Sequence, residues 1–357
     1  MRLSWEICGA LLCGNGQGGN RCRIRSDLRR DEMATLLAKN ADVLVTMDGR
    51  RRELKNAGLF ARDGMIETVG STDELPATAD LVLDLRGHIL LPGLVNCHHH
   101  LDQLLTRNLP AGQNTNLFPW LRAHYRVWGS RTPEDTRTAV LVGCAELALS
   151  GCTTVFDHAY VFQNGCRVDD QIAAAAELGI RFAVSRGSMS LGQSKGGLPP
   201  DDCVEAEEAI LRDCVRVIET YHDAAPGSMR QIVLGPCSPF SVSADLMRES
   251  AKMARHYGVH LHTHLCETLD EERYTLQHHG LRPVAYMETL DWVGKGRLVR
   301  ARDSRQRRRD PPVCRKGRRG VPLPVFEHAV GFGHRAGEEI SRCRRQDRAR
   351  GGRLGEQ

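Results

Sequence analysis

Leu91-Pro92-Gly93-Leu94-Val95-Asn96-Cys97-His98-His99-His100-Leu101-Asp102-Gln103 decides how this chain is read. An apolar run feeds directly into three histidines. In a strand, side chains two apart point the same way, so a strand ending here sets His98 and His100 on one face. Two imidazoles so placed make a metal-binding geometry, and neutral imidazole suits zinc, iron and copper alike. The ordinary alternative is a histidine run on a loop or a core histidine with its hydrogen bonds satisfied.

Toward the N-terminus, short β-rich runs alternate with turn dipeptides such as Asp48-Gly49 and Asp63-Gly64. That rhythm predicts a small β domain over 33–92, preceded by an unpatterned extension over 1–32. Met33 opens the patterned sequence and is a second candidate start. Toward the C-terminus the rhythm becomes helix, glycine, strand. Helical spacing over 136–150 stops at Gly151 before a strand over 153–157; 170–178 stops at Gly179 before 180–186. A helix over 204–221 leads to a strand over 232–235, and one over 244–257 stops at Gly258 before 259–264. Glycine accepts the left-handed conformation that ends a helix, and such alternation predicts a parallel sheet covered by helices. Five strand units are counted from His98 to His264, over a segment taken as 93–295. A closed barrel of this kind needs eight. A last helix is expected over 269–293.

The net charge of +5 hides an asymmetry. Residues 295–357 hold 19 Lys plus Arg against 7 Asp plus Glu, a net +12, which leaves −7 for the remainder. The 13 cysteines are odd in number and form no close CxxC pairs, as expected of a reduced, cytoplasmic protein rather than a disulfide scaffold. No stretch has the length and apolarity of a membrane span, and no signal peptide is expected.

A second histidine element, Val259-His260-Leu261-His262-Thr263-His264-Leu265-Cys266-Glu267-Thr268, closes the fifth unit. His264 falls at the strand end where barrel active sites sit, while His260 and His262 are expected in the core. Glu267, in the loop beyond, is a candidate proton carrier.

With these elements the chain resembles the metal-dependent amidohydrolase superfamily, in its aminohydrolase branch of cytosine, guanine and s-triazine deaminases. Besides the two histidine elements, the resemblance rests on Leu117-Phe118-Pro119-Trp120-Leu121, Ser150-Gly151-Cys152-Thr153-Thr154, Ser185-Arg186-Gly187-Ser188-Met189-Ser190, Gly196-Gly197-Leu198-Pro199-Pro200-Asp201 and Pro236-Cys237-Ser238-Pro239-Phe240-Ser241-Val242-Ser243. It implies a (β/α)8 TIM-like barrel with a small β-sandwich domain. It also implies one divalent metal, zinc or in its place iron, held by His98, His100, His264 and an eighth-strand Asp. Glu267 would move the proton, as general base and then acid. Gln103, Trp120 and Arg186 would hold the ring by amide hydrogen bonding, stacking and carbonyl contact. The implied reaction is hydrolytic deamination of an aminated purine, 8-oxoguanine to urate plus ammonia, with s-triazine amino- or chlorohydrolysis as the alternative. The partner is then a small aminated heterocycle, with no membrane and no specific nucleic acid; the family-like homo-oligomer is doubtful for this chain.

The pattern breaks at Gly296. The sixth-strand His and eighth-strand Asp that the resemblance implies are absent, and residues 296–357 are Arg-rich. A basic nucleic-acid-binding tail is one explanation. A change of reading frame is the other: GC-rich codons for Gly296 to Ser304, read one frame over, spell Asp-Val-Trp-Phe-Ala-His-Gly-Ile-His. The same shift over 350–356 gives Gly-Val-Asp-Gly-Ser-Ala-Ser, the family's aspartate motif. One constant shift that recovers ordered motifs predicts a barrel cut after its fifth βα unit, an out-of-frame, disordered tail and a chain of doubtful activity.

Overall fold

The computed structural model describes residues 35–293. The expected N-terminal extension and the Arg-rich stretch from Gly296, with its predicted frame change, lie outside the described residues.

The first sheet follows the turn punctuation. Strands β1 (Thr35–Val45), β2 (Glu53–Arg62), β3 (Met65–Ser71), β4 (Leu81–Asp84) and β5 (Ile89–Leu90) form one five-stranded sheet. Its order is β3-β2-β1-β4, with β5 also against β1. β1 and β2 are antiparallel, their register broken between Ala38 and Ala41, where Asn40 takes a positive φ of 62°. Small and branched side chains, Ala38, Ala41, Leu59, Ala61, Leu83 and Leu85, make its core. The β-sandwich expected from the resemblance is represented among the described residues by this single sheet.

After β6 (Leu94–His99) come α1 (Leu117–Gly129), α2 (Pro133–Leu149), β7 (Cys152–Asp157), α3 (Val168–Leu178) and β8 (Arg181–Ser188). They are followed by α4 (Glu207–Tyr221), β9 (Arg230–Pro236), α5 (Ala244–Tyr257), β10 (His260–Leu261), α6 (Leu269–His279) and α7 (Pro283–Thr289). The second sheet has the strand order β10-β9-β8-β7-β6. β6 and β7 pair in parallel, as do β7 and β8. Sequential order with a helix before each new strand is the way an α/β barrel is laid down, because a parallel neighbour requires a crossover. No helix among the described residues is long and apolar enough to cross a membrane.

Two local expectations are corrected, and one element is added. The helix expected over 269–293 is two, because Gly280 caps α6 in the left-handed conformation (φ 67°) and Pro283 opens α7. The strand expected over 259–264 is regular only at His260–Leu261, and His264 makes an isolated bridge beyond it. α1 was not expected as an element; its helix covers the Leu117-Phe118-Pro119-Trp120 motif and buries Leu117, Leu121, His124, Tyr125 and Trp128.

The described residues divide into two compact units. One comprises 35–105, 131–187 and 209–235, and the other 106–130, 188–208 and 236–293.

Candidate metal and proton-transfer site

In the first unit, β6 delivers the histidine motif. His98 and His100 lie with ring centroids 4.7 Å apart, edge to face, as expected for residues two apart at a strand end. Both are half-buried. His100 Nδ1 stands 2.6 Å from the carbonyl oxygen of His158, the residue that follows β7. A carbonyl oxygen only accepts, so the proton sits on Nδ1 and the neutral ring carries its lone pair on Nε2. His158 is itself fixed, its Nε2 3.0 Å from the Gly235 carbonyl. A Cβ at Gly235 would come within 2.8 Å of that same Nε2. Gly235 therefore allows β9 to approach the His158 ring.

Beneath the motif lies a buried charged cluster. Leu101 N–H donates to Asp157 Oδ1 at 2.8 Å. Asp102 Oδ2 is 2.5 Å from Arg131 Nη1, both side chains almost wholly inaccessible. Arg131 Nη2 also donates to the Val161 carbonyl. Burial first, and then the Asp102 charge, push the Asp157 carboxyl well above the carboxylate range, against the Leu101 amide and Arg131. Two carboxyls beside one guanidinium in a dry site cannot both ionise cheaply. The loop that leaves His100 is thus anchored at Leu101 and Asp102.

In the second unit, His264 repeats the His100 arrangement. Its Nδ1 lies 2.8 Å from the carbonyl oxygen of Cys237, and its N–H donates to the same carbonyl at 2.9 Å. The lone pair is again left on Nε2. His262 is buried, as expected of a core position, and burial followed by the neighbouring His264 holds its pKa well below the ordinary value. His260 is exposed instead, so the expectation that it fills the core is corrected: it opens the two-residue strand before the chain turns inward. Glu267 is exposed, in the loop between His264 and α6.

The three residues expected to hold a ring already have partners. Gln103 Nε2 donates to the Tyr160 hydroxyl at 3.0 Å in the first unit. In the same unit Arg186 is buried, with Nε 2.5 Å from Asp213 Oδ2, Nη1 2.5 Å from the Gly187 carbonyl and its guanidinium 4.5 Å from the Phe162 ring centre. Trp120, in the second unit, is half-buried on α1, 4.2 Å from the His124 ring and 5.2 Å from Trp128.

The sequence did not reveal His158 and Cys237 as the carbonyl acceptors that orient the His100 and His264 rings, because a backbone oxygen carries no residue signature.

The amidohydrolase family model matches residues 89–302. The chain is 47% identical over 240 residues to an 8-oxoguanine deaminase of Pseudomonas aeruginosa, covering 66% of this chain and 54% of that protein. It is 35% identical over 277 residues to the hydroxydechloroatrazine ethylaminohydrolase of Pseudomonas sp. strain ADP, covering 73% and 57%. Among solved structures, the atrazine chlorohydrolase of Arthrobacter aurescens TC1 complexed with zinc superposes with a TM-score of 0.68 at 31% identity, over 74% of this chain and 60% of that one. The chain thus spans about half the length of the curated relatives it matches. By the extent of the family match, and by the sequential parallel sheet that carries His98 and His100, the chain belongs to the amidohydrolase family.

Proposed function

We propose that this chain descends from a metal-dependent hydrolytic deaminase of aminated heterocycles, with 8-oxoguanine as the leading substrate. The observation that carries the reading is the shared state of His100 and His264: each gives its Nδ1 to a backbone carbonyl, leaving Nε2 as the ligand atom. Metal-binding histidines are characteristically oriented by such a bond from the other ring nitrogen. His98, His100 and His264 each offer one ring nitrogen, a donor set that suits zinc.

A divalent metal, when bound, supplies the Lewis acidity that brings water toward hydroxide at neutral pH. This chain's part is then proton movement and orientation. Glu267 takes a proton as the water oxygen bonds to the amino-bearing ring carbon, and returns it to the departing nitrogen as the carbon–nitrogen bond breaks and ammonia leaves. Gln103 and Trp120 are proposed to contact the ring. Arg186 is proposed to do so through a guanidinium already oriented by Asp213. The 8-oxoguanine deaminase relative supports the purine reading, and the triazine enzymes support hydrolysis of a triazine ring as the second.

We further propose that residues from about Gly296 onward are translated out of frame, and that the chain as written lacks appreciable turnover. The family match stops at residue 302, close to the proposed change. The test compares ammonia release from 8-oxoguanine and from a hydroxylated triazine, using the chain as written and a version restored by one nucleotide before codon 297. Turnover only in the restored version, and on the purine, is expected. Undiminished turnover by the chain as written, or a nucleotide sequence confirming the present frame, overturns the frame reading; triazine preference overturns the purine assignment.

A further inference from the structure

Glu271 is buried, 1% exposed, on the first turn of α6. Thr268 caps that helix, its hydroxyl accepting the Glu271 N–H at 3.5 Å. In an ordinary capping box the glutamate reaches back to the N–H of the capping residue. Here Oε2 accepts the Glu267 N–H, one residue before the cap, at 2.7 Å, with the Cys266 and Thr268 amides also lowering the carboxyl's pKa. Its other oxygen, Oε1, is buried with no hydrogen-bond partner among the described residues. Cys266, immediately before Glu267, is held in the left-handed region at φ 63°, a conformation that costs any residue with a Cβ. A buried carboxyl thus pins the chain where it doubles back, while the Glu267 side chain stays exposed.

We propose that Glu271 is a positioning residue for Glu267, fixing by its backbone N–H the point from which the proton-carrying side chain projects. The proposal rests on the reading of Glu267 as that carrier. A plain helix cap does not account for the arrangement, since Thr268 already supplies one and the Oε2 bond restrains a residue outside the helix. Burial pushes the Glu271 carboxyl up to about 8, the Glu267 charge adding to it and the amides of residues 266–268 opposing. A neutral carboxyl still offers an accepting oxygen, so glutamine preserves the bond and leucine removes it at similar volume.

The test is hydrogen exchange resolved at the Glu267 amide, in the full chain at pH 6.5, for the wild type, Glu271→Gln and Glu271→Leu. E271Q is expected to keep Glu267 protection within about threefold, and E271L to raise exchange about tenfold, the scale of one net hydrogen bond. Exchange at Thr275 and Leu276 reports whether α6 itself survives. Wild-type protection of Glu267 in E271L overturns the proposal, as does its loss in E271Q with α6 intact. The functional reading fails separately, if Glu267→Gln leaves hydrolysis by the frame-restored chain unchanged whatever the exchange shows.

Discussion

The imidazole of His100 is bound through Nδ1 to the carbonyl oxygen of His158, 2.6 Å away and 58 residues along the chain. The end of β6 and the end of β7 are therefore locked together through a side chain whose remaining nitrogen is the one suited to a metal. His158 is in turn seated on the Gly235 carbonyl, so β6, β7 and β9 together set the orientation of one ring.

That chain of contacts makes Gly235→Ala informative. A methyl there meets Ser185 Cβ at 2.7 Å and the His158 ring at 2.8 Å, neither of which is a flexible side-chain end. The ring must shift, and its carbonyl with it. Zinc affinity is expected to fall roughly tenfold to a hundredfold, the usual cost of disturbing a ligand's outer partner. Competition against a chelating dye measures it.

Removing a ligand should cost more. His100→Ala and His264→Ala are each expected to abolish stoichiometric zinc binding at micromolar protein, with one zinc per wild-type chain measured by atomic emission after dialysis. His262→Ala should leave the stoichiometry intact, because His262 is read as a core residue. Equal loss in all three variants would point to collapse of the strand end rather than to a ligand set.

The Asp102–Arg131 pair is nearly inaccessible on both sides. Breaking such a pair strands a buried charge, so Arg131→Ala is expected to destabilise by about 3–5 kcal/mol in urea titration. The double substitution Asp102→Leu with Arg131→Met should recover much of that loss, since apolar groups of similar volume replace a buried pair at little net cost.

Glu271 predicts a pH dependence of stability. Its folded-state pKa of about 8 lies above the ordinary 4.5, so the folded chain holds a proton that the unfolded chain releases earlier. The stability it contributes is fully present below about pH 4.5 and is lost as pH rises toward 8. At about 1.4 kcal/mol per tenfold change in proton affinity, the loss across that window is of order 5 kcal/mol. Wild-type stability should therefore fall relative to E271Q between pH 5 and 8 in parallel thermal melts. Parallel curves for the two chains would remove Glu271 as the source.

Much of this protein follows from its sequence. The period-two runs and turn dipeptides gave the first sheet, and helices punctuated by Gly151, Gly179 and Gly258 gave the parallel one, because local backbone preference and side-chain period act over a few residues. The closeness of His98 and His100 was equally legible, since two apart on a strand is a local relation. What only the tertiary structure decided is who holds these groups. His158, Cys237 and Gly235 act through backbone oxygens, and Glu271 through a bond displaced by one residue from its motif. Arg186 has a side chain suited to a ring carbonyl, and only the fold shows that Asp213 and Phe162 hold its guanidinium. Such partners are set by which strand ends meet, and a residue's identity does not encode the direction of its neighbour's carbonyl.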